Sequence, residues 1–342
     1  MVRSAIEARD LTKIFYSKER KGLFRRNIRR KIIAVNHINL SVFRGEIFGL
    51  LGPNGAGKTT TIKMLSTLLL PDEGEAWVNG YSIIREPNKV RENIGVSLYS
   101  DRGFYWKLTG RENLRFFAYL FHVPPHNIEK RIEEVLRLVE LTDVADKLVE
   151  EYSMGMKSKL NLARALLTDP PVLFLDEPTI GLDPMSARKV RELILDLKKE
   201  GKTILLTTHN MEEADALCDR LAIINKGKII ALGTPSELKL MIKKKEVIVI
   251  EAINVNERIV DKLRSLDGIE YVTGAIVQPE SQKGVFRICF KGGSKEHLPD
   301  VIKVITSFDV KLTYIKIAEP SLEDVFISLT GRGFYEEESN GS

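Results

Sequence analysis

Cysteine is scarce in this chain of 342 residues, which contains only Cys218 and Cys289. Two cysteines without a Cys-x-x-Cys pair exclude a disulfide framework and favour a reducing cytosol. Long apolar runs are also missing, since no stretch approaches the roughly 18 residues that span a bilayer. We therefore expect any membrane role to depend on a partner protein.

A general excess of positive charge is missing as well, because 52 Lys and Arg residues oppose 47 Asp and Glu residues. The net charge of +5 is concentrated in one place. Residues 17–31 hold eight basic residues and one Glu, a net of +7, so the rest of the chain sums to −2. The sequence is thus near neutral with a single basic segment, which weakens the case for a nucleic-acid-binding protein.

Short apolar segments alternate with helical segments over the first two thirds of the chain, which predicts an α/β fold with a mainly parallel sheet. After residue 245 the predicted order becomes β-α-β-β-α-β, a ferredoxin-like arrangement. The length also favours about two domains. We expect a first domain over 1–236, a small α+β domain over 237–331 and a flexible tail over 332–342.

A glycine-rich loop follows the buried strand predicted at 47–51. Residues 52–59 read GPNGAGKT and fit the pattern G-x-x-x-x-G-K-[ST]. In this pattern the glycines let backbone N–H groups surround phosphate oxygens, the lysine reaches the β- and γ-phosphates, and the final hydroxyl ligates Mg²⁺. The nucleotide-binding residues expected here are Pro53, Asn54, Gly55, Ala56, Gly57, Lys58, Thr59 and Thr60, with Thr59 also a metal ligand.

Two carboxylates follow the apolar strand predicted at 171–175. Asp176 stands where a second Mg²⁺-organising acid belongs beside a phosphate loop. Glu177 follows directly and is positioned to orient or deprotonate an attacking water. An isolated Asp-Glu pair is usually a strand-end cap, but next to a phosphate loop we interpret this pair as catalytic.

The segment LFLDEPTIGLDP at 173–184 resembles the Walker B motif and D-loop of ABC-type ATPases. The resemblance covers about residues 1–236 and implies that a signature motif from a second subunit completes each ATP site. The matching segment, YSMGM at 152–156, departs from the usual LSGGQ at three of five positions and retains Ser153 and Gly155. The YSMGM segment is similar to the signature motif of ABC-2-type exporter ATPases, and this resemblance implies that it binds the γ-phosphate. Without the resemblance, Ser153 would be interpreted only as a helix N-cap.

The same resemblance assigns roles to two further residues. His209, in the string THNMEEAD, is similar to the switch histidine that contacts the γ-phosphate in this family. Phe15, in LTKIFY, matches the aromatic residue that stacks on adenine. Tyr16 is a competing candidate for that stacking role, and structural packing of Phe15 is the alternative.

One element of the family pattern is absent. The Q-loop of the family carries a glutamine that senses Mg²⁺ and the membrane partner, but no glutamine precedes Gln278 here. The matching stretch ends in Tyr99, Ser100 and Asp101, of which Asp101 is a candidate Mg²⁺ ligand. The aromatic residues that follow at 104–106 are either anchors for a partner or packing within the helical subdomain.

These features predict the ATP-hydrolysing subunit of an ABC transporter, and the resemblance implies an ABC-2-type exporter. The expected partners are a polytopic transmembrane permease, at the cytoplasmic face of the cell membrane, and a second copy in a head-to-tail ATP sandwich. The alternative is a soluble ABC-type ATPase that binds nucleic acid or the ribosome through residues 17–31. We do not favour it, because the chain has one cassette and an exporter-like segment, EPSLEDVFISLTGR, at 319–332.

A small-molecule kinase with a phosphate loop would leave the signature and switch motifs unexplained. The segment 17–31 is expected to be a loop near the membrane face, where anionic headgroups attract basic residues, or else a solvated loop without function. For the C-terminal domain the resemblance implies dimerisation or regulation, by analogy alone.

Overall fold

The computed structural model of the protein describes residues 4–21, 26–98, 103–242, 246–253, 257–278, 283–291, 294–308 and 310–331. The chain divides into two compact units, Met1–Thr234 and Pro235–Ser342. Among the described residues, no helix combines the length and the apolar character needed to cross a membrane.

Among the described residues, the larger sheet of the first unit has six strands, and all except one edge strand run parallel to their neighbours. Its central strands are buried along their whole length, which explains why they read as continuous apolar runs. The strands, in spatial order, are β10 (Lys228–Gly233), β9 (Arg220–Asn225), β3 (Ile47–Leu51), β8 (Thr203–Thr208), β7 (Val172–Asp176) and β6 (Ile94–Ser97).

Helices connect these parallel strands. Because parallel strands end at the same edge of a sheet, the residues that follow β3, β7 and β8 are brought together there. This edge therefore receives residue 52, residue 177 and residue 209, which are distant in sequence. The connecting helices of this layer are α1 (Lys58–Leu65), α2 (Pro87–Glu92), α6 (Pro184–Lys199) and α7 (Met211–Leu217).

A smaller antiparallel sheet contains β1 (Ser4–Lys21), β2 (Arg26–Phe43), β4 (Glu73–Val78) and β5 (Tyr81–Ser82), in the order β2-β1-β4-β5. The pairing of β1 with β4 ends at Thr12 and Glu73. Beyond that point, β2 is the one neighbour of β1 among the described residues, and the pairing continues to Lys21 and Arg26.

The expected loop at 17–31 is therefore wrong for the part of the segment that is described. Residues 13–21 and 26–35 form a two-stranded antiparallel arm, about 27 Å long at the usual rise per residue. An antiparallel ladder needs only backbone donors and acceptors, and charged side chains do not remove them. A run of charged residues is therefore compatible with a continued strand pair, and it does not by itself indicate a loop.

A helical layer lies between β6 and β7 in the chain. It consists of α3 (Gly110–Leu120), α4 (Ile128–Leu138) and α5 (Met154–Leu166), and all three pack on one another. Helix α3 begins with a capping box, in which Thr109 accepts from the Glu112 amide and Glu112 accepts from the Thr109 amide.

The second unit contains a four-stranded antiparallel sheet in the order β12-β13-β11-β14, with elements that follow one another as β-α-β-β-α-β. Its strands are β11 (Val247–Ile253), β12 (Ile269–Gln278), β13 (Lys283–Phe290) and β14 (Lys311–Ala318). Its helices are α8 (Pro235–Leu240), α9 (Glu257–Arg264), α10 (Ser294–Ser307) and α11 (Leu322–Thr330).

A buried carboxylate attaches the last helix to this second sheet. Asp324, in α11, is fully buried and accepts hydrogen bonds from the Tyr271 hydroxyl at 2.9 Å and from Arg287 Nη2 at 2.6 Å. It also accepts from the Ser321 amide at 2.7 Å, within a capping box. A buried charge is tolerated only when it is paired and hydrogen-bonded, so this network fixes the position of α11.

Candidate nucleotide-binding and catalytic site

The phosphate loop joins β3 to α1 in a conformation that only glycine adopts readily. Gly55 and Gly57 have φ angles of 78° and 108°. A Cβ on Gly57 would lie 2.4 Å from the carbonyl oxygen of Ala34, in β2, so the loop passes directly against that strand. Helix α1 starts at Lys58 without a side-chain cap from the described residues, which leaves its first N–H groups suited to binding an anion.

The Lys58 side chain is buried and folds back over its own loop. Its Nζ donates to the carbonyl oxygens of Gly52 at 2.6 Å and Pro53 at 3.2 Å. It also lies 3.1 Å from Glu177 Oε1, and the two side chains are only 5% and 10% exposed. The loop therefore holds one concentrated positive charge at the edge of the sheet.

Asp176 ends β7 beside this charge and is surrounded by hydroxyl groups. Thr59 Oγ1 donates to its two carboxylate oxygens at 2.9 and 3.0 Å, and Thr207 Oγ1 donates to Oδ1 at 2.6 Å. Burial raises the pKa of Asp176, and the two threonine hydrogen bonds only partly oppose that rise. The Asp176 carboxylate and the Thr59 hydroxyl together provide hard oxygen ligands at one point.

This pair of ligands suits Mg²⁺. Mg²⁺ is usually held by one or two carboxylates together with substrate phosphates, rather than by an all-protein cage. The described part of the chain contains no cluster of three or more His, Cys, Asp or Glu side chains that could hold a metal ion alone. The residues present therefore fit a metal that arrives with a phosphate-bearing ligand.

Glu177 lies between Lys58 and His209. Its Oε2 is 2.8 Å from His209 Nδ1 and also accepts from the His209 amide at 3.3 Å. Its Oε1 is buried and lies 3.1 Å from Lys58 Nζ, which is its one partner among the described residues. A buried carboxylate oxygen of this kind is suited to accept a hydrogen bond from a bound water.

The backbone and the ionisation of Glu177 also distinguish it from an ordinary surface carboxylate. Its φ of 50° is in the left-handed region, which non-glycine residues rarely adopt outside turns and functional sites. Burial raises the pKa of Glu177, but the His209 hydrogen bond and the Lys58 charge outweigh burial, so the net pKa is below the usual value. Glu177 is consequently ionised at neutral pH and His209 Nδ1 is the donor.

Ser153 and Gly155 are at the start of α5, in a different place from the phosphate loop. The exposed Ser153 caps the helix, and its Oγ accepts from the Met156 amide at 3.2 Å. Gly155 is buried, and a Cβ there would lie 2.9 Å from Ser186 Oγ. Among the described residues, these neighbours belong to α5 and α6. Met154, between the two signature residues, lines a pocket that Asp176 and Glu177 also line.

Phe15 lies on the strand pair that adjoins the phosphate loop. It pairs with Ile32, two residues before the Ala34 that touches Gly57. Its ring is 40% exposed, and Lys13 Nζ lies 5.8 Å from the ring centre. Tyr16 is 67% exposed, so both aromatic rings stay available for stacking and the choice between them remains a prediction.

The stretch in place of the Q-loop follows β6, and the candidates Tyr99, Ser100 and Asp101 lie outside the described residues. The residues on either side contact α5. Asn161 Nδ2 donates to the carbonyl of Leu98 at 2.9 Å, and Arg164 Nη1 donates to that of Gly103 at 3.4 Å.

The aromatic residues at 104–106 were expected either to anchor a partner or to pack within the helical subdomain. Phe104 packs against Phe117, and the Arg164 guanidinium lies about 5 Å from both rings, at 4.9 and 5.0 Å. Tyr105 and Trp106 are half exposed. Tyr105 also packs edge-on against Phe116, with ring centres 4.9 Å apart, and Lys157 Nζ lies 5.1 Å from the Trp106 ring centre. All three rings therefore have internal contacts, and the exposed parts of Tyr105 and Trp106 remain candidates for partner contact.

Sequence reasoning misses three polar residues around the catalytic pair: Thr207, Thr179 and Glu213. Thr207 lies in a strand, where threonine is ordinary. Glu213 lies in the first turn of α7, where an acidic residue is also ordinary. Only the tertiary structure brings these side chains to the site.

Comparison with known proteins identifies the family of the chain. The family described as "ABC transporter" matches residues 35–180. A linearmycin resistance ATP-binding protein of Bacillus subtilis is 36% identical over 299 residues, covering 87% of this chain and 94% of the relative. A doxorubicin resistance ATP-binding protein of Mycobacterium tuberculosis is 37% identical over 309 residues, covering 88% and 89%.

Solved structures resemble the ATPase part of the chain. One described as the ATP binding subunit of an ABC transporter has a TM-score of 0.58 at 29% identity, covering 70% of this chain and 93% of that one. A dimeric structure of a bacterial ABC transporter cassette has a TM-score of 0.58 at 26% identity, covering 67% and 98%.

Two glycines of the phosphate loop provide a matched test of its geometry. We expect Gly57→Ala to lower nucleotide affinity at least tenfold, because the new Cβ would meet the Ala34 carbonyl and the φ of 108° is strained for alanine. Gly55→Ala is strained but has nothing within 4 Å of the new Cβ, so its loss should be clearly smaller. Titration with a fluorescent ATP analogue measures both. Equal losses would contradict the close approach at residue 57.

Proposed function

The chain belongs to the ATP-binding subunits of ABC transporters, and on that basis we propose that it hydrolyses ATP to power a separate membrane-spanning exporter. As a member of this family it binds ATP and acts as an ATPase beside a transmembrane permease. Export is supported by the similarity to resistance and export ATP-binding proteins. The observation that carries the catalytic assignment is the placement of Glu177 between Lys58 and His209.

We propose that the loop residues 53–60 bind the ATP phosphates through backbone N–H groups and the start of α1. Lys58 lies within reach of the β- and γ-phosphates and Phe15 stacks on adenine. Thr59 and Asp176 hold Mg²⁺, which neutralises phosphate charge and polarises the γ-phosphate when bound. Thr207 fixes the Asp176 carboxylate by its 2.6 Å hydrogen bond.

Hydrolysis requires that a water attack the γ-phosphorus in line with the bond that breaks. The ionised Glu177 accepts a hydrogen bond from that water through Oε1 and takes its proton as the phosphorus–oxygen bond forms. His209 holds Glu177 through Oε2 and faces the γ-phosphate. In this arrangement the charge of Lys58 keeps Glu177 ionised and stabilises the developing charge on phosphate.

We further propose that two copies bind head to tail, with each ATP between the phosphate loop of one copy and Ser153 and Gly155 of the other. The position of Ser153 at a helix N-terminus supports this, because such a terminus binds anions. The exposure of Ser153 supports it as well. The family includes dimeric cassettes.

Replacement of the base tests the catalytic assignment. We expect Glu177→Gln to lower kcat at least a hundredfold, the scale typical of a lost general base, while ATP binding persists. Because the γ-phosphate then survives, the variant should accumulate as an ATP-bound dimer in size-exclusion chromatography. Glu192→Gln, an exposed charge loss on α6, is the control and should behave as the wild type. Hydrolysis by Glu177→Gln at the wild-type rate would contradict the assignment.

The permease, we propose, docks in a cleft of the first unit beside β6. The cleft is bordered by Leu68, Leu120 and Phe121, whose side chains are 60%, 56% and 41% exposed. Charged residues of α4, including Lys130 and Glu134, lie along the same cleft. Exposed apolar residues within a charged rim are typical of protein interfaces.

Loss of this apolar border should uncouple the chain from its partner. We expect Leu120→Ser combined with Phe121→Ser to reduce co-purification with a co-expressed transmembrane permease subunit at least tenfold, since each side chain contributes roughly 1.5–3 kcal/mol when buried. ATP hydrolysis by the isolated chain should be unchanged. Ile84→Ser, at a 45% exposed position outside the cleft, should retain the partner. Normal co-purification of the double variant would exclude this docking surface.

The arm formed by β1 and β2 is proposed to contact anionic lipid at the cytoplasmic face of the cell membrane. Its segment 17–31 carries a net charge of +7 in sequence. Two-stranded ribbons are marginally stable alone, and like charges weaken them further, so an anionic surface would stabilise this one. Each basic residue near such a surface contributes about 1 kcal/mol.

Vesicle flotation tests the lipid contact. We expect the full chain to float with phosphatidylglycerol vesicles, and Arg26→Ser, Arg29→Ser and Arg30→Ser together to reduce the bound fraction severalfold. The effect should weaken with salt and be absent with phosphatidylcholine. The control replaces three exposed basic residues elsewhere, Arg85, Lys199 and Lys303, by Ser. Equal flotation of both triple variants and the wild type would contradict a role for the arm.

A further inference from the structure

A second, separate connection joins the catalytic glutamate to its histidine. The turn after Glu177 continues through Pro178 to Thr179, and Thr179 Oγ1 donates to Glu213 Oε1 at 2.6 Å. Glu213 is 1% exposed. It is therefore one of the most deeply buried carboxyl groups of the first unit, and it belongs to neither the phosphate loop nor the metal-ligating pair.

Glu213 is held in place by the start of α7, which follows His209 directly. The Glu213 amide donates to Asn210 Oδ1 at 3.1 Å, so the residue after His209 caps the helix that carries Glu213. The contacts thus form a closed ring. Two of its links are hydrogen bonds, from Thr179 to Glu213 and from His209 Nδ1 to Glu177 at 2.8 Å. The other two are the chain itself, from Glu177 to Thr179 and from Glu213 back along α7 to His209.

The carboxyl group of Glu213 is costly to bury. Burial raises its pKa and the charge of Glu177 adds to that rise, whereas hydrogen bonds to Thr179 and Thr208 and the charge of Arg191 oppose it. An apolar residue of similar size would avoid the cost of desolvating a carboxyl group. The strained φ of Glu177, 50°, meanwhile needs neighbours that hold the turn.

The turn is held from its other side as well. Ser158 Oγ, in α5, donates to the Pro178 carbonyl at 3.0 Å. Two side chains from different helices therefore fix the two residues that follow Glu177. Helix α7 carries Glu213 and follows His209, whereas α5 carries the signature residues at its start.

We infer that Glu213 is a positioning residue for hydrolysis, which binds Thr179 and so keeps the Glu177 carboxylate aligned with His209. This inference rests on the proposed role of Glu177 as the base. It assigns a kinetic function to Thr179 and Glu213, which act through Glu177 and His209. Misplacement of a reacting group by about 1 Å lowers rates by up to two orders of magnitude, so the ring affects kcat more than ATP binding.

The experiment measures kcat and KM for ATP in the full chain with variants that remove or keep the Thr179–Glu213 hydrogen bond. Thr179→Val and Glu213→Leu remove it and should each lower kcat about tenfold with KM for ATP changed less than twofold. Thr179→Ser keeps the hydroxyl and Glu213→Gln keeps an acceptor, so both should retain rates close to the wild type. The double variant Thr179→Val with Glu213→Leu should be no slower than either single variant.

Thr203→Val is the matched control, because Thr203 is also a buried threonine, in β8, whose Oγ1 accepts from the Gly45 amide at 3.0 Å. It should lose stability without losing kcat, and thermal unfolding of every variant identifies any that fail to fold.

The inference is overturned if Thr179→Val keeps the wild-type kcat, if Thr203→Val slows hydrolysis equally, or if Thr179→Ser and Glu213→Gln fail to restore the rate. Glu177→Gln, assayed in parallel, separates the two claims. If Glu177→Gln hydrolyses ATP at the wild-type rate, Glu177 is not the base. If Glu177→Gln is slow but Thr179→Val is as fast as the wild type, only the positioning role of Thr179 and Glu213 is refuted.

Discussion

The contact between Lys58 and Glu177 is the interaction on which the rest of the site depends. Both side chains are nine-tenths buried or more, and they lie 3.1 Å apart. Buried charges of opposite sign stabilise each other, but each is costly if the other is removed. Phosphate in the loop therefore competes with Glu177 for the lysine. In the proposed mechanism, a phosphate that attracts Lys58 would leave the Glu177 carboxylate free to accept a hydrogen bond from water, so phosphate binding and activation of the base would be linked through one ammonium group.

A parallel sheet brings this pair together from parts of the chain that are far apart in sequence. The phosphate loop follows β3, the carboxylates end β7, and His209 follows β8, and these strands are neighbours in the order β3-β8-β7. The motifs predict this part of the site well, because each stands at the carboxyl end of a continuous apolar run. Strand ends of this kind meet at one edge wherever the strands are parallel.

The remaining features depend on contacts that have no local pattern. Thr207 and Glu213 are ordinary residues in a strand and a helix, and they become part of the site through hydrogen bonds to residues about thirty positions away. The strand pairing within segment 17–31 is also not predicted from the sequence. The basic residues of this segment are typical of a loop, but its described backbone continues an antiparallel ladder to Lys21 and Arg26. Pairing register and side-chain partners are properties of the folded chain, and composition does not reveal them.

The arrangement of the first unit also explains why one copy would be insufficient for an ATP sandwich. Lys58, Asp176, Glu177 and His209 lie together at the edge of the sheet, whereas Ser153 caps α5 among residues of α5 and α6. A helix N-terminus stabilises an anion only at close range. In the proposed ATP sandwich, a second copy supplies Ser153 and Gly155 to the phosphate held by the loop. ATP would then be part of the contact between copies, and cleavage of its γ-phosphate would remove a charge that both copies bind.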